Sequence, residues 1–485
     1  MAISFEEQPQ IFTNESLKIV IPEKLSQIVN GKQRENKNYL GRQMQKVPPL
    51  LRLDKNNQQD YDPLAVSLGP YHHGKEELQL AEDFKLTALE MFVDGSGQDV
   101  LFFYSQMLRL VNDSRNCYIQ DSTNKYDDPT FAQMMLLDAC FIINSIVQTK
   151  IYTNFYITRY HLGDLLSAIV VRDLFLLENQ IPFWIVKFLM CSRYGKEQAE
   201  EMLNEFLNGT VFGDYKGSGI ASRDEQLPLH LLDAFWQVLV SECPKGEPIS
   251  PKPGSDYEYS CYSRFKHMGN SAKYSHFCQY VSDLPCFPRR KGSDNDNSSK
   301  KYIHCFRSAT DLKAKGIHFR PSNADSLKGI KFKPGYFYAI LEVPIWFVSI
   351  YTKVFFLNMI AHEMCPSSTT DRAVTAYIEF MKSLIDSPKD VKELREKRIL
   401  LTTLGSDEEV VKIYKEINTY GLNNASIFHN VKEEIQAHYK NKAKTWLAEL
   451  FYTYFRSPWT ALALFAATFL LVLTFLQTYY TVRPS

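Results

Sequence analysis

Ala461-Leu-Ala-Leu-Phe-Ala-Ala-Thr-Phe-Leu-Leu-Val-Leu-Thr-Phe-Leu476 carries no charged or strongly polar side chain. Six Leu, three Phe, one Val, four Ala and two Thr fill its sixteen positions. With Trp459, Thr460 and Gln477 to Tyr480 the run reaches 22 residues. A helix rising about 1.5 Å per residue carries that run across about 33 Å, the thickness of a bilayer core. Its ten Leu, Phe and Val residues favour insertion by roughly 0.3–0.6 kcal/mol each, about 3–6 kcal/mol together. Leu462, Phe465, Phe469, Leu473 and Leu476 supply apolar surface. Trp459 at one end and Tyr479 and Tyr480 at the other stand where interfacial aromatics belong. Thr468 and Thr474 can bond back to the helix's own carbonyls. Ser457-Pro458 is a helix start, with Ser as N-cap and Pro in the first turn. The competing reading is a buried core helix, but such helices usually keep one polar face and this run has none.

The spacing therefore predicts one transmembrane helix over 459–480, a short tail over 481–485 and a large water-soluble body before them. Lys440, Lys442, Lys444 and Arg456 precede the helix and only Arg483 follows it. Positive-inside reasoning puts the body in the cytosol and leaves plasma membrane and endomembrane both open. Two other apolar stretches compete for a membrane role. Leu174 to Met190 holds Glu178, Asn179, Gln180, Pro182 and Lys187, and reads as a buried helix. Tyr336 to Ile360 holds Glu342, Pro344 and Lys353 among aromatic and β-branched residues, and reads as buried strands leading into a short helix.

The 485 residues are 45% hydrophobic, enough for a large core. Lys+Arg and Asp+Glu both number 55, so no global basic field draws nucleic acid. The N-terminus is acidic and lacks a signal-like apolar run. Nine cysteines, an odd number without a C-x-x-C pair, fit a reducing compartment.

Residues 1–45 read as a polar arm. The soluble domain follows over 46–455, with surface loops near 244–257 and 289–301, the first rich in proline and the second basic at both ends. Helical periodicity dominates. Phe131 to Val147 sets Met134, Leu137, Phe141 and Ile142 near one face, interrupted by Asp138. Ser387-Pro388 opens one helix, and Ser406 with Glu409 forms a capping box for another. The fold class is mainly α with a minor β component, an α+β body plus one C-terminal transmembrane helix.

Candidate chemistry is sparse. Gly213-Asp-Tyr-Lys-Gly-Ser-Gly219 lacks the Lys-Ser/Thr ending of a phosphate loop. There is no G-x-S-x-G elbow and no H-E-x-x-H helix. His72-His73 is the densest imidazole pair, but neighbours on a strand face opposite ways and so rarely share a metal. His267, His276, Cys278, Cys286, His304 and Cys305 match no standard zinc spacing. Asp138, Glu178 and Asp233 are acids inside apolar segments, and a buried carboxylate needs a partner or a raised pKa. A structural role for these five residues stands ahead of a catalytic one. No cofactor is expected.

Val47-Pro-Pro-Leu-Leu-Arg52 and Tyr61-Asp-Pro-Leu-Ala-Val-Ser-Leu-Gly-Pro-Tyr-His-His-Gly74 are the first of an ordered set of motifs. Met134-Met-Leu-Leu-Asp-Ala-Cys-Phe-Ile142, Arg172-Asp-Leu-Phe-Leu-Leu-Glu-Asn-Gln-Ile-Pro182, His230-Leu-Leu-Asp233 and Ser308-Ala-Thr-Asp-Leu312 follow. Asn358-Met-Ile-Ala-His-Glu363 and Leu404-Gly-Ser-Asp-Glu-Glu-Val410 complete it. Together with the apolar tail they resemble the plant family called domain of unknown function 247, over about Val47 to Tyr480. The family more often has Gly at Ala139 and Tyr at His362. The resemblance implies a plant membrane protein with no assigned catalytic residues, and a recognition or signalling role; some similar proteins act in self-incompatibility, others in defence or growth.

The expectation is a membrane-tethered protein that recognises a protein partner, with the lipid bilayer as its other partner and its oligomeric state open. The rival is an enzyme of unknown class that uses His72, His73, Asp138 or Glu178.

Overall fold

Asp127 accepts the Thr130 backbone N–H at 2.9 Å, and a 23-residue helix starts beside it, α5 (Asp128–Lys150). A computed structural model describes residues 43–119, 121–150, most of 162–212, 227–241, most of 307–440 and 458–482. Within it α5 is the centre of the N-terminal half. Its side chains from Phe131 to Ile146 are withdrawn from water on nearly every face, not only the face of Met134 and Phe141. Each fully buried Phe, Ile or Leu there contributes about 1.5–3 kcal/mol.

The helices before and after α5 wrap it. After the short α1 (Pro49–Arg52), α2 (Gln79–Val93) turns Ala81, Phe84, Ala88 and Phe92 inward at helical spacing, and Phe84 meets Phe141 edge-on at 5.8 Å. α3 (Val100–Arg109) is capped by Asp99 and buries Phe103 and Met107; α4 (Val111–Asn116) follows. α6 (Phe183–Tyr194) and α7 (Lys196–Phe212) close the other side. α8 (Leu231–Val240) leads toward the C-terminal half.

That half combines small sheets with helices. After α9 (Ala309–Ala314), β1 (Ile317–Pro321), β2 (Lys331–Lys333) and β3 (Ala339–Val343) form a sheet in the order β1-β3-β2, with β1 parallel and β2 antiparallel to β3. β4 (Trp346–Val348) pairs in parallel with β5 (Leu400–Thr402). Between them run α10 (Thr352–Glu363), α11 (Ala373–Leu384) and α12 (Pro388–Glu396); α13 (Asp407–Glu416) and α14 (His429–Lys440) follow. Ser387 and Pro388 open α12 as expected, in a capping box with Asp390. Ser406 caps α13 through the Glu409 N–H. One continuous core joins both halves. The body is mainly helical with a minor β component.

One expectation is corrected. Leu174 to Met190 is not a single buried helix. Leu174 to Pro182 is buried but irregular, and the helix begins only at Phe183. Pro182 lacks the amide that a continuous helix needs, and the Asn179 and Gln180 side chains bond the carbonyls that the irregular backbone leaves open.

The last helix, α15 (Pro458–Val482), starts at the proline that the sequence marks. Among the described residues two helices are long and apolar enough to cross a membrane, by length and composition: Asp128–Gln148 and Leu462–Tyr479. The first is 83% buried inside the protein and the second 0%. Thr468, Thr474, Thr478 and Thr481 each return their hydroxyl to the carbonyl four residues earlier, which satisfies them without water. The arm before residue 43, both surface loops, the glycine-rich stretch at 213–219 and the six spaced His and Cys residues from His267 to Cys305 lie outside the described residues.

Candidate functional site

The motif Tyr61–Gly74 runs as irregular chain and turns between α1 and α2, so its backbone groups need partners from elsewhere. The motif Arg172–Pro182 supplies them. Asp173 Oδ2 accepts the backbone N–H of Leu64 at 2.9 Å, of Ala65 at 2.6 Å and of Val66 at 3.1 Å. Its Oδ1 pairs with Arg172 Nη1 at 2.6 Å. Arg172 also donates to the carbonyls of Asp62 and Gln59, both at 3.0 Å. Asn179 accepts the Leu68 N–H at 2.7 Å and donates to Val66 O at 3.0 Å. From α10, Asn358 accepts the Leu177 N–H at 2.9 Å and donates to Asp60 O at 3.0 Å. These polar side chains fold two irregular segments against each other in the middle of the core.

His72 and His73 lie in the turn that ends the first motif rather than on a strand, yet they do point to different neighbours. His72 is buried, with Nε2 at 3.9 Å from both Asp62 Oδ1 and Glu178 Oε2. Arg52 links those two acids, at 3.2 Å to Asp62 and 2.9 Å to Glu178. Glu178 Oε1 accepts the Val47 N–H at 2.7 Å. Burial, reinforced by the nearby Lys75, pulls the His72 pKa down to about 4, so the ring is neutral at physiological pH. His73 packs edge-on against Tyr126, and its Nδ1 is 3.8 Å from Glu82 Oε2.

Glu82 leads to a fully buried charge. Lys85 is fully buried on α2, and its ammonium lies 2.6 Å from Glu82 Oε1, 2.6 Å from Asp138 Oδ1 and 2.7 Å from Ser67 O. Asp138 Oδ2 accepts the Gly69 N–H at 2.7 Å. Burial pushes the Asp138 carboxyl up against the pull of Lys85. Gly69 itself has φ +71°, and a Cβ there would meet Gln180 O at 2.4 Å.

Asp233 stands apart from the others, on α8. It accepts the Leu229 N–H at 2.8 Å and faces His362 Nε2 at 3.4 Å. Its own N–H donates to His230 Nδ1 at 3.0 Å, so His230 caps α8. Burial raises the Asp233 pKa, but the His362 hydrogen bond and charge outweigh it and bring it down to about 2. Beside it Glu363 accepts from Trp236 Nε1 at 2.8 Å and from the Val374 and Thr375 amides at 2.8 and 2.9 Å. Burial pushes the Glu363 carboxyl up, opposed by those donors.

The structure thus joins Glu178 to His72 and joins Asp138 to His73 through Glu82 and Lys85, and leaves Asp233 to His362. Glu178 sets its two oxygens against the Val47 N–H and Arg52, and Asp138 sets its two against the Gly69 N–H and the Lys85 ammonium. Among the described residues no three His, Cys, Asp or Glu side chains converge as a metal would require. Sequence reasoning missed Asp173, Asn179, Asn358 and Glu363 as polar ties, although each sits in a quoted motif. It missed Lys85 too, and there an ordinary amphipathic pattern offered no signal.

A family model, DUF247, described as a plant protein of unknown function, matches residues 44–473. The UPF0481 protein At3g47200 of Arabidopsis thaliana is 27% identical over 440 residues, covering 87% of this chain and 82% of that protein. A putative UPF0481 protein of the same plant, At3g02645, is 24% identical over 477 residues, 88% of each chain. No solved structure matches the chain.

Proposed function

This chain belongs to the DUF247 family of plant proteins of unknown function, and on that premise we propose that it is a membrane-tethered recognition protein. In this reading α15 is held in a bilayer and the body binds a protein partner from the cytosolic side. One observation carries it: none of the Leu462–Tyr479 stretch is buried in the protein, although it is as apolar as the core helix α5. So large an apolar surface is unstable in water, and a hydrocarbon phase removes that cost. The basic residues before the helix support the cytosolic orientation. The internal pairing of Asp138 with Lys85 and of Glu178 with Arg52 supports binding over catalysis. The partner belongs to a signalling context, with self-incompatibility, defence and growth as the range that the resemblance implies.

Protease protection of the full chain in plant microsomes, with a tag at each end, tests the placement. The expected result is an N-terminal tag that is digested and a C-terminal tag that is protected until detergent is added. Carbonate-extractable protein would refute the anchor. Proximity labelling from the body is expected to recover one reproducible protein set, lost when α15 is deleted.

A catalytic reading has one observation in its favour, since Asp233 and His362 form an acid–imidazole pair that keeps some solvent exposure. A hydrolytic activity abolished by His362→Gln at unchanged thermal stability would support it.

A further inference from the structure

Register makes the outward face of the three-stranded sheet basic. Arg320 and Lys331 flank Glu342 across the strands, and His318 and Lys333 flank Ile340. Side chains alternate along a strand, so these positions share the face opposite the buried Phe319, Leu341 and Phe332. His318, Arg320, Lys331 and Lys333 are all exposed. Glu342 is the single carboxylate in these two rows, and Lys333 Nζ holds it at 2.5 Å. Lys397 and Lys313 lie close enough to act on His318, and Glu393, which pairs with Lys313, opposes them. Tyr338, 42% exposed, packs edge-on to His318 at 5.4 Å. An aromatic ring among cations is the composition of a membrane interface.

The charge of this face and the reach of the chain say what would cover it. α14 packs against the opposite face of the sheet, where the Phe332 and His438 rings lie 5.9 Å apart, and so does not cover the basic face. It ends at Lys440, and α15 begins at Pro458. Even fully extended, the intervening residues reach at most about 60 Å, and they add Lys442, Lys444 and Arg456. The start of the membrane helix is therefore tethered within that reach of the sheet, whose basic face is exposed. Cytoplasmic leaflets carry anionic lipid and a negative surface potential.

We infer that the outward face of the β1-β3-β2 sheet, centred on Arg320, Lys331 and Lys333, docks on the anionic headgroups of the bilayer that holds α15. This rests on the anchoring proposed above. Each net positive charge near such a surface strengthens association about five-fold, so Arg320, Lys331 and Lys333, less the Glu342 carboxylate, act on the order of 30-fold, within a Debye length of the membrane.

Amine-reactive footprinting of the full chain in nanodiscs tests it, with pure phosphatidylcholine compared against phosphatidylcholine containing phosphatidylserine. Labelling of Lys331 and Lys333 is expected to slow several-fold in the anionic discs and to recover in high salt, while Lys196 on α7 stays unchanged. In an Arg320→Glu, Lys331→Glu variant the lipid dependence at Lys333 should disappear; both positions are exposed, so the fold is kept. Equal labelling in the two discs, or slowing at every exposed lysine including Lys196, would overturn the docking. So would protection of these lysines by added RNA or an acidic polypeptide but not by anionic lipid. A chain that fails to enter either disc would instead refute the anchor, which separates the two readings.

Discussion

Lys85 Nζ on α2 lies 2.6 Å from Asp138 Oδ1 on α5, with both side chains withdrawn from water. The ammonium also touches Glu82 and the Ser67 carbonyl, and Asp138 also holds the Gly69 amide. The pair ties the Tyr61–Gly74 motif to α5.

Breaking one side of a buried pair leaves an uncompensated charge, which costs about 3–5 kcal/mol. Lys85→Met is expected to destabilise the body by that amount in chemical denaturation. Adding Asp138→Asn should restore part of the loss, because the remaining group is then neutral and still accepts from Gly69. Strict additivity of the two substitutions would show that the groups are not coupled.

Gly69 and Gly74 both have positive φ, +71° and +86°. Only Gly69 has a neighbour in the way, Gln180 O at 2.4 Å from a built Cβ; Gly74 has nothing within 4 Å. Gly74→Ala should cost about 1 kcal/mol of backbone strain. Gly69→Ala must also displace a backbone carbonyl, and is expected to lower the melting temperature several times as far. Equal shifts would contradict the close approach.

Acid should weaken the body. Burial, with neighbouring positive charge, holds His72 down to about 4 and His230 down to about 3, against 6.5 for a free imidazole. Above pH 6.5 both rings are neutral whether the chain is folded or not. Below it the unfolded chain takes up protons that the folded state refuses. Stability is therefore lost as pH falls from about 6.5, by up to about 1.4 kcal/mol per unit for each ring, and the His72 share is complete near pH 4. Denaturation midpoints between pH 8 and 4.5 should show this slope, and His72→Gln should roughly halve it. A flat profile would place both rings in contact with water.

Leu470 lies near the middle of α15. A central arginine costs about 2.5–3.5 kcal/mol of insertion and forfeits what leucine contributes. Leu470→Arg should move the protein out of the carbonate-resistant membrane fraction, whereas Leu470→Phe should not. Retention of the arginine variant in the membrane fraction would show that the segment is not held by hydrocarbon.

Some features were legible because they are local. The absence of charge from Ala461 to Leu476 marks α15 and its apolar surface within one stretch of chain. Ser387-Pro388 and Ser406 mark helix starts within three residues of the groups they cap. The acids Asp138, Glu178 and Asp233 stand out against apolar neighbours, so burial with a partner could be foreseen for each. The partners could not. Asp173 serves amides more than 100 residues earlier, Asn358 reaches Asp60 across 298 positions, and Lys85 meets Asp138 only because α2 folds along α5. The irregular course of Leu174 to Pro182 has the same origin, since its apolar run also suits a helix until distant carbonyls and amides compete for it. Periodicity records which side chains leave water. Which polar group meets which is decided when segments remote in sequence close on one another, because in a dry core each buried donor and acceptor has to be satisfied by whatever the topology brings within 3 Å.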